Sequence, residues 1–487
     1  MRGRTGRDRH ALIIATGILG ISAAAAIVLL RRQPKEDGKT WLSRLGPQRI
    51  PHNKAAVFRL DYVNRVNDGK VGGAGAQRCS DTGTDIPVEH LLDVPGLVVY
   101  SIEIVEGEVM LMFMQVPSLP EVLKLPFLDR GVRAVAEIGS NVYVARMDAV
   151  ENIPGLSPFH KRSPSEQSHI SIVWNTGRCG STLMHKMLQV VGVLSLAEPF
   201  WQDRLWQMRT EGIDKEVIAR AFGICGAMDQ ELLRKSLPSL QPASGSTSTI
   251  GQDHVSINPK GLCYSYMEPV IRSLPHARHV FMYRDVREVA ESFISIFTRS
   301  TSTHGKFIAW VASKMSRTGP KILPPPRRDS VNFSKAVHKA SMGGAIPAVE
   351  NPMANRITTN WLHCMCLWRE IKEDRVAAEG NMIALRMSDF IRKDPRLIED
   401  TLRFVLGENV EVGEDTVALA LEVFKKHSQE GDRMAKSSFN PKSGKTRSLT
   451  PKDIEEIEAL VRAVPLIGSP DFVLPDSLGA KVATTEA

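Results

Sequence analysis

Cysteine is scarce and scattered: six in 487 residues, at Cys79, Cys179, Cys225, Cys263, Cys364 and Cys366. No two stand in C-x-x-C spacing, so neither a disulfide scaffold nor a zinc module is signalled. Charge of one sign is also lacking. A net charge of +8 is modest for this length, and the chain carries no footprint of nucleic-acid binding. The surplus is local instead. Residues 299–339 hold nine Lys/Arg against one acid, Asp329. Apolar and charged fractions of 43% and 24% are those of a globular protein.

Long apolar runs are absent but for one. Residues 11–30 form twenty uncharged positions between Arg9-His10 and Arg31-Arg32. As a helix they span about 30 Å, the thickness of a bilayer core. The small residues 22–26 also suit a cleaved signal peptide, and basic residues on both sides weaken any charge argument about orientation. An uncleaved anchor is the preferred reading. It makes residues 1–10 a cytoplasmic tail, 31–54 a stem and the remainder lumenal, with the bilayer as a partner through 11–30.

Beyond the stem, residues 55–153 show short alternating runs typical of strands and predict a small β-rich domain. Two hairpins are expected, 98–105 with 108–116 about Glu106-Gly107, and 132–138 with 142–147 about Gly139-Ser140-Asn141. Residues 69–75 and 81–84 read as loop, and no chemistry is visible in this part. A Pro/Ser-rich linker at 154–168 marks a boundary. Residues 169–475 then alternate strands and helices, the rhythm of a parallel sheet with helices on both faces. A basic insertion at 298–355 breaks that rhythm, and 476–487 is a tail. The insertion reads first as a solvated loop, with an anionic glycan or headgroup surface as the functional alternative, and includes an N-glycosylation sequon at Asn332.

The chain is organised around residues 169–194, HISIVWNTGRCGSTLMHKMLQVVGVL. A strand, a small-residue loop and a helix N-terminus build an anion site from backbone N–H groups and the helix dipole. Gly177 and Gly180 let the backbone close around a phosphate, and Ser181 and Thr182 add hydroxyls. The loop is not a Walker motif, because its cation, Arg178, precedes the second glycine. A second motif, Tyr283-Arg284-Asp285-Val286-Arg287-Glu288-Val289-Ala290-Glu291-Ser292, sets Arg284 at a strand end. Ser292 follows eight residues later, near enough to converge on one phosphate.

Together the two motifs resemble the sulfotransferase family that uses 3′-phosphoadenosine 5′-phosphosulfate (PAPS), in its membrane-bound, Golgi-type form. The likeness covers roughly residues 169–460. It implies an α/β fold with a P-loop-like parallel sheet flanked by helices, here preceded by one N-terminal transmembrane helix and a small β-rich region. It also implies PAPS as co-substrate with no metal requirement. The loop Thr176, Gly177, Arg178, Cys179, Gly180, Ser181 and Thr182 matches the 5′-phosphosulfate element, and Arg284 with Ser292 the 3′-phosphate element. Arg178 would neutralise charge on the leaving nucleotide. Glu198 is the candidate general base and Lys260 a contact to the sulfonate or leaving group, with His185 and His254 as fallback bases.

The segment 385–390, Leu-Arg-Met-Ser-Asp-Phe, is similar to a later family strand, with Met and Ser in place of an aromatic and an acid. Lys442, Ser443 and Lys445 read first as a solvated loop, with closure over the nucleotide as the alternative. The acceptor would be a hydroxyl or amine, on a carbohydrate before other classes. The stretch 361–368, with Cys364 and Cys366 two apart, reads as a buried helix rather than a metal site. Rival functions are a P-loop kinase or NTPase, and a membrane-tethered glycan-binding protein without catalysis.

Overall fold

The computed structural model describes residues 41–42, 46–63, 77–125, 127–236, 251, 253–261, 263–299, 347, 349–374, 380–407, 409–425 and 449–478. The tail at 1–10, the span at 11–30 and much of the stem lie outside these residues. So do most of the basic insertion with its sequon, the residues Lys442, Ser443 and Lys445, and most of the tail at 476–487. No helix among the described residues is long and apolar enough to cross a membrane.

Five antiparallel strands form the first sheet: β1 (Lys54–Val63), β2 (Gln77–Pro87), β3 (Leu97–Val105), β4 (Glu108–Gln115) and β5 (Asn141–Arg146), in the order β2-β1-β5-β4-β3. The β3–β4 hairpin turns at Glu106 and Gly107, both at positive φ, as a tight two-residue turn requires. The other expected hairpin does not form. Residues 119–124 and 128–135 are helices α1 (Leu119–Lys124) and α2 (Leu128–Val135). Asp129 and Arg133 pair at 2.6 Å one helical turn apart, and a Cβ at Gly131 would meet the Val122 carbonyl at 2.3 Å, so α1 and α2 pack closely. Strand β5 lies instead between β1 and β4, antiparallel to both. Residues 81–84 are not loop either. They lie in β2, where a register shift opposite Val57 and Phe58 accommodates Gly83 at φ 71° as a bulge.

After α3 (Met147–Glu151), residues 154–168 make two short helical turns, the second being α4 (Pro164–Gln167), and bury Phe159 completely. The second sheet has six strands, all parallel, in the order β11-β10-β9-β6-β8-β7. In chain order it runs β6 (Ile170–Asn175), α5 (Ser181–Val190), β7 (Leu194–Ala197), α6 (Trp201–Thr210), α7 (Lys215–Ser236) and β8 (Val255–Asn258). It continues with α8 (Met267–Ser273), β9 (Arg278–Tyr283), α9 (Val286–Arg299), α10 (Pro352–Glu373), β10 (Met382–Arg386) and α11 (Met387–Phe390). The closing elements are α12 (Pro395–Leu406), α13 (Glu414–Glu422), α14 (Pro451–Arg462) and β11 (Ser477–Leu478). The result is an α/β protein with a parallel sheet flanked by helices.

All six residues of β6 are buried, the pattern of a central parallel strand covered on both faces. Its side chains alternate between two cores. Ile170, Ile172 and Trp174 face the α7–α8 side, in a core continuous with that of the antiparallel sheet, while Val173 faces α5 and α12. The long buried helix α7 joins the sheets. Asp229 accepts from the Val99 amide of β3 at 3.1 Å and from the Trp201 indole of α6 at 2.8 Å. From β6 the chain moves out to β7, returns through β8 and crosses to β9. That reversal opens a crevice at the carboxyl ends of β6, β8 and β9, where open parallel sheets bind ligands.

Candidate active site

The loop between β6 and α5 sits in this crevice. Gly177 and Gly180 have φ of 78° and 86°, so both glycines supply left-handed backbone. Two asparagines at strand ends hold the loop. Asn175 donates to the Pro259 carbonyl at 2.5 Å while its Oδ1 accepts the Gly177 amide at 2.9 Å. Asn258 donates to the Ser181 carbonyl at 2.9 Å and, through its own carbonyl, accepts the Glu198 amide at 2.9 Å. A Cβ at Gly261 would come within 2.6 Å of the Gly177 backbone, so only glycine lets the segment after β8 pass. Sequence reasoning missed Asn175, Asn258 and Gly261. No local pattern marks them, because their partners lie in segments distant along the chain.

The seven loop candidates divide by depth. Thr176 and Cys179 are buried beneath the loop, and burial pushes the Cys179 thiol up to about 11, which removes it as a nucleophile. Ser181 and Thr182 are half-buried at the start of α5, where the first amides have no intrahelical acceptor.

The structure brings Arg178, Arg284 and Ser292 together. The Arg178 Nε donates to Ser292 Oγ at 3.0 Å, and Arg284 donates to the Arg178 carbonyl at 3.4 Å while pairing with Glu288 at 2.6 Å. Trp361 on α10 fixes the Arg284 carbonyl at 2.8 Å. Asp285 of the same motif is structural: it accepts the Arg287 amide at 2.8 Å in the first turn of α9 and grips that guanidinium at 2.6 Å. One strand further, Arg386 ends β10 in register with Tyr283, and Met387 packs where a Gly180 Cβ would point.

Glu198, Lys260 and Asp203 form a second group beside the first. Glu198 holds φ 50°, directly after β7. Burial raises its pKa, against the pull of the Lys260 ammonium. Lys260 donates to Asp203 at 2.6 Å and lies 5.9 Å over the Phe200 ring. Its pKa is pulled down by burial, but Asp203, Glu198 and Asp129 together push it up further, so it stays a cation.

Both fallback histidines stand elsewhere. His185 is buried with Nδ1 2.8 Å from Ser195 Oγ, and burial drives its pKa down to about 3. His254 precedes β8 at the amino end of the sheet, opposite the crevice, stacked on His169 at 4.7 Å, with a pKa lowered by burial to about 4. Cys364 and Cys366 are buried in α10, and no group of three or more potential metal ligands occurs among the described residues.

No protein-family model matches this chain, and no curated protein is detectably similar to it in sequence.

Proposed function

We propose that the chain is a PAPS-dependent sulfotransferase with a P-loop-like fold. It transfers a sulfuryl group to a hydroxyl or amine, with a carbohydrate as the first acceptor to test. One observation carries this reading: the loop after β6 and the Arg284–Ser292 element after β9 meet through Arg178 at the crevice of a parallel sheet. Two anion-binding elements so joined fit a nucleotide phosphorylated at two positions, and the half-buried hydroxyls of Ser181 and Thr182 fit its 5′ side. The co-substrate supplies an activated sulfuryl group when bound.

The protein's part is to hold, orient and neutralise. The amides at the start of α5, with Ser181 and Thr182, hold the 5′ side. Arg284 and Ser292 hold the 3′ phosphate, and Arg178, hydrogen-bonded to Ser292, offsets negative charge developing between the two ends. Glu198 accepts the acceptor's proton, and Lys260 supplies positive charge beside it. In-line transfer of this type depends mainly on positioning and charge stabilisation. The anchor read at 11–30 makes the enzyme a single-pass type II protein of the Golgi membrane with its catalytic part lumenal.

An acceptor screen with sulfate-labelled PAPS on the purified chain tests the activity. Label on at least one glycan, lost in Glu198→Gln, supports the reading. Absence of transfer across carbohydrate, peptide and lipid acceptors contradicts it, and magnesium-dependent ATP turnover would point to a kinase or NTPase.

A further inference from the structure

The segment that follows Lys260 sends its two tyrosines to different places. The 3-10 turn Cys263–Tyr266 buries Tyr266 completely, edge-on to Trp174 of β6 with ring centroids 5.9 Å apart. Tyr264 leaves the same turn toward α10. Its ring lies 4.4 Å from that of His363, and its hydroxyl donates to Asn360 Oδ1 at 3.3 Å. Tyr264, Asn360 and His363 are all half-buried. Beside Tyr264, the Ser265 hydroxyl is buried with no partner among the described residues.

One turn of α10 is held at the crevice by two contacts. Trp361 donates to the Arg284 carbonyl at 2.8 Å, and the Cys364 thiol lies 3.8 Å from the Gly261 carbonyl. Gly261 in turn passes against the Gly177 backbone, so this turn of helix meets the surroundings of both anion-binding elements. Asn360 and His363 belong to the same turn, three residues apart and so neighbours on one face. Both keep hydrogen-bonding capacity. Asn360 accepts from Tyr264, while its amide nitrogen and both ring nitrogens of His363 make no hydrogen bond among the described residues.

These groups share a chemical character. Burial lowers the His363 pKa to about 4, so at neutral pH the imidazole is uncharged, one nitrogen donating and the other accepting. An amide and an uncharged imidazole match neighbouring hydroxyls, each of which can give and take a hydrogen bond. They offer no counter-charge to an ammonium group.

We propose that Asn360 and His363, braced by Tyr264, form an acceptor subsite that hydrogen-bonds the hydroxyls of a sugar ring in the crevice. This rests on the reading of the crevice as a sulfotransferase site. The subsite stands on α10, which carries neither anion motif, so it governs which acceptor is held and not how the nucleotide binds.

The first experiment is steady-state transfer from labelled PAPS to a glycan acceptor by the full chain, Asn360→Ala, His363→Phe and His363→Gln. Loss of one neutral hydrogen bond should raise the acceptor KM roughly threefold to tenfold in Asn360→Ala and in His363→Phe. Turnover at saturating acceptor and affinity for 3′,5′-ADP should stay as in wild type, the mark of lost ground-state binding. His363→Gln, which keeps a donor and an acceptor, should recover much of the loss. An unchanged acceptor KM in Asn360→Ala and His363→Phe, or a fall in kcat with KM unmoved, overturns the subsite.

A second readout needs no turnover. In the histidine-labelled full chain, with and without 3′,5′-ADP, the His363 ring signal is assigned by its loss in His363→Gln. It should move saturably as methyl β-galactoside or methyl N-acetyl-β-glucosaminide is added, and less at the same concentration in Asn360→Ala. A signal unmoved by both sugars overturns the subsite even where sulfate transfer is seen. A signal that moves in a chain transferring no sulfate sustains the subsite and instead removes the sulfotransferase reading.

Discussion

Arg178 and Glu198 are two of four non-glycine residues at positive φ among those described, with φ of 54° and 50°. Each such conformation costs on the order of 1 kcal/mol or more, and persists where surrounding structure over-determines it. At Arg178 the surroundings are the Asn175 clamp, Gly261 and the hydrogen bond to Ser292. Replacement by glycine relieves the strain but loses the guanidinium. Arg178→Gly should therefore change unfolding free energy by no more than about 1 kcal/mol while weakening 3′,5′-ADP binding about tenfold or more. Thermal denaturation and calorimetric titration of the same sample check both halves. Glu198→Gln should lower kcat by about a hundredfold and leave nucleotide affinity unchanged, as loss of a general base requires. A near-normal rate in that variant would take Glu198 out of the mechanism.

Helix α7 carries the next scale. Asp229, fully buried, receives one hydrogen bond from β3 and one from α6, and burial raises its pKa to about 7. An unfolded aspartate titrates near about 3.9. Between those values the folded state holds a proton that the unfolded state has lost, so this group makes stability fall as pH rises from about 4 to about 7. Asp229→Asn should flatten that part of the stability–pH curve, read by denaturant unfolding at a series of pH values. Asp229→Ala should cost about 2–4 kcal/mol, because both donors are left unpaired in the core.

What was legible in the sequence follows the same physics. The β6 run, Gly177, Gly180 and the β9–α9 motif were readable because a buried parallel strand and a helix N-terminus have local signatures. The residues 132–138 were misread as a strand because two valines and an isoleucine carry β propensity. The Asp129–Arg133 turn and the fit of Gly131 against Val122 outweigh it. Gly261 and the two asparagines act across strands far apart in the chain, so no local pattern announces them.

At the scale of the molecule, the β-rich region is joined to the parallel sheet by one continuous apolar core. Gly223 and Gly226 of α7 allow His160 and Phe159 to pack against the helix axis, so the segment at 154–168, read as a linker, is wedged into that core. Calorimetry of the chain should show one cooperative transition, and well-separated transitions would contradict a shared core.

In the proposed function, the same arrangement sets the nucleotide residues after β6 and β9 and the acceptor residues Glu198 and Lys260 after β7 and β8. The claim on which the rest depends is that the crevice holds a nucleotide phosphorylated at both 3′ and 5′ positions. Its most direct measurement is the thermal stability of the chain with and without 3′,5′-ADP, in wild type and Arg284→Ala. The account predicts an upward shift in wild type, absent or much reduced in Arg284→Ala and small with 5′-AMP. No shift in wild type, or an equal shift in the variant, would contradict it.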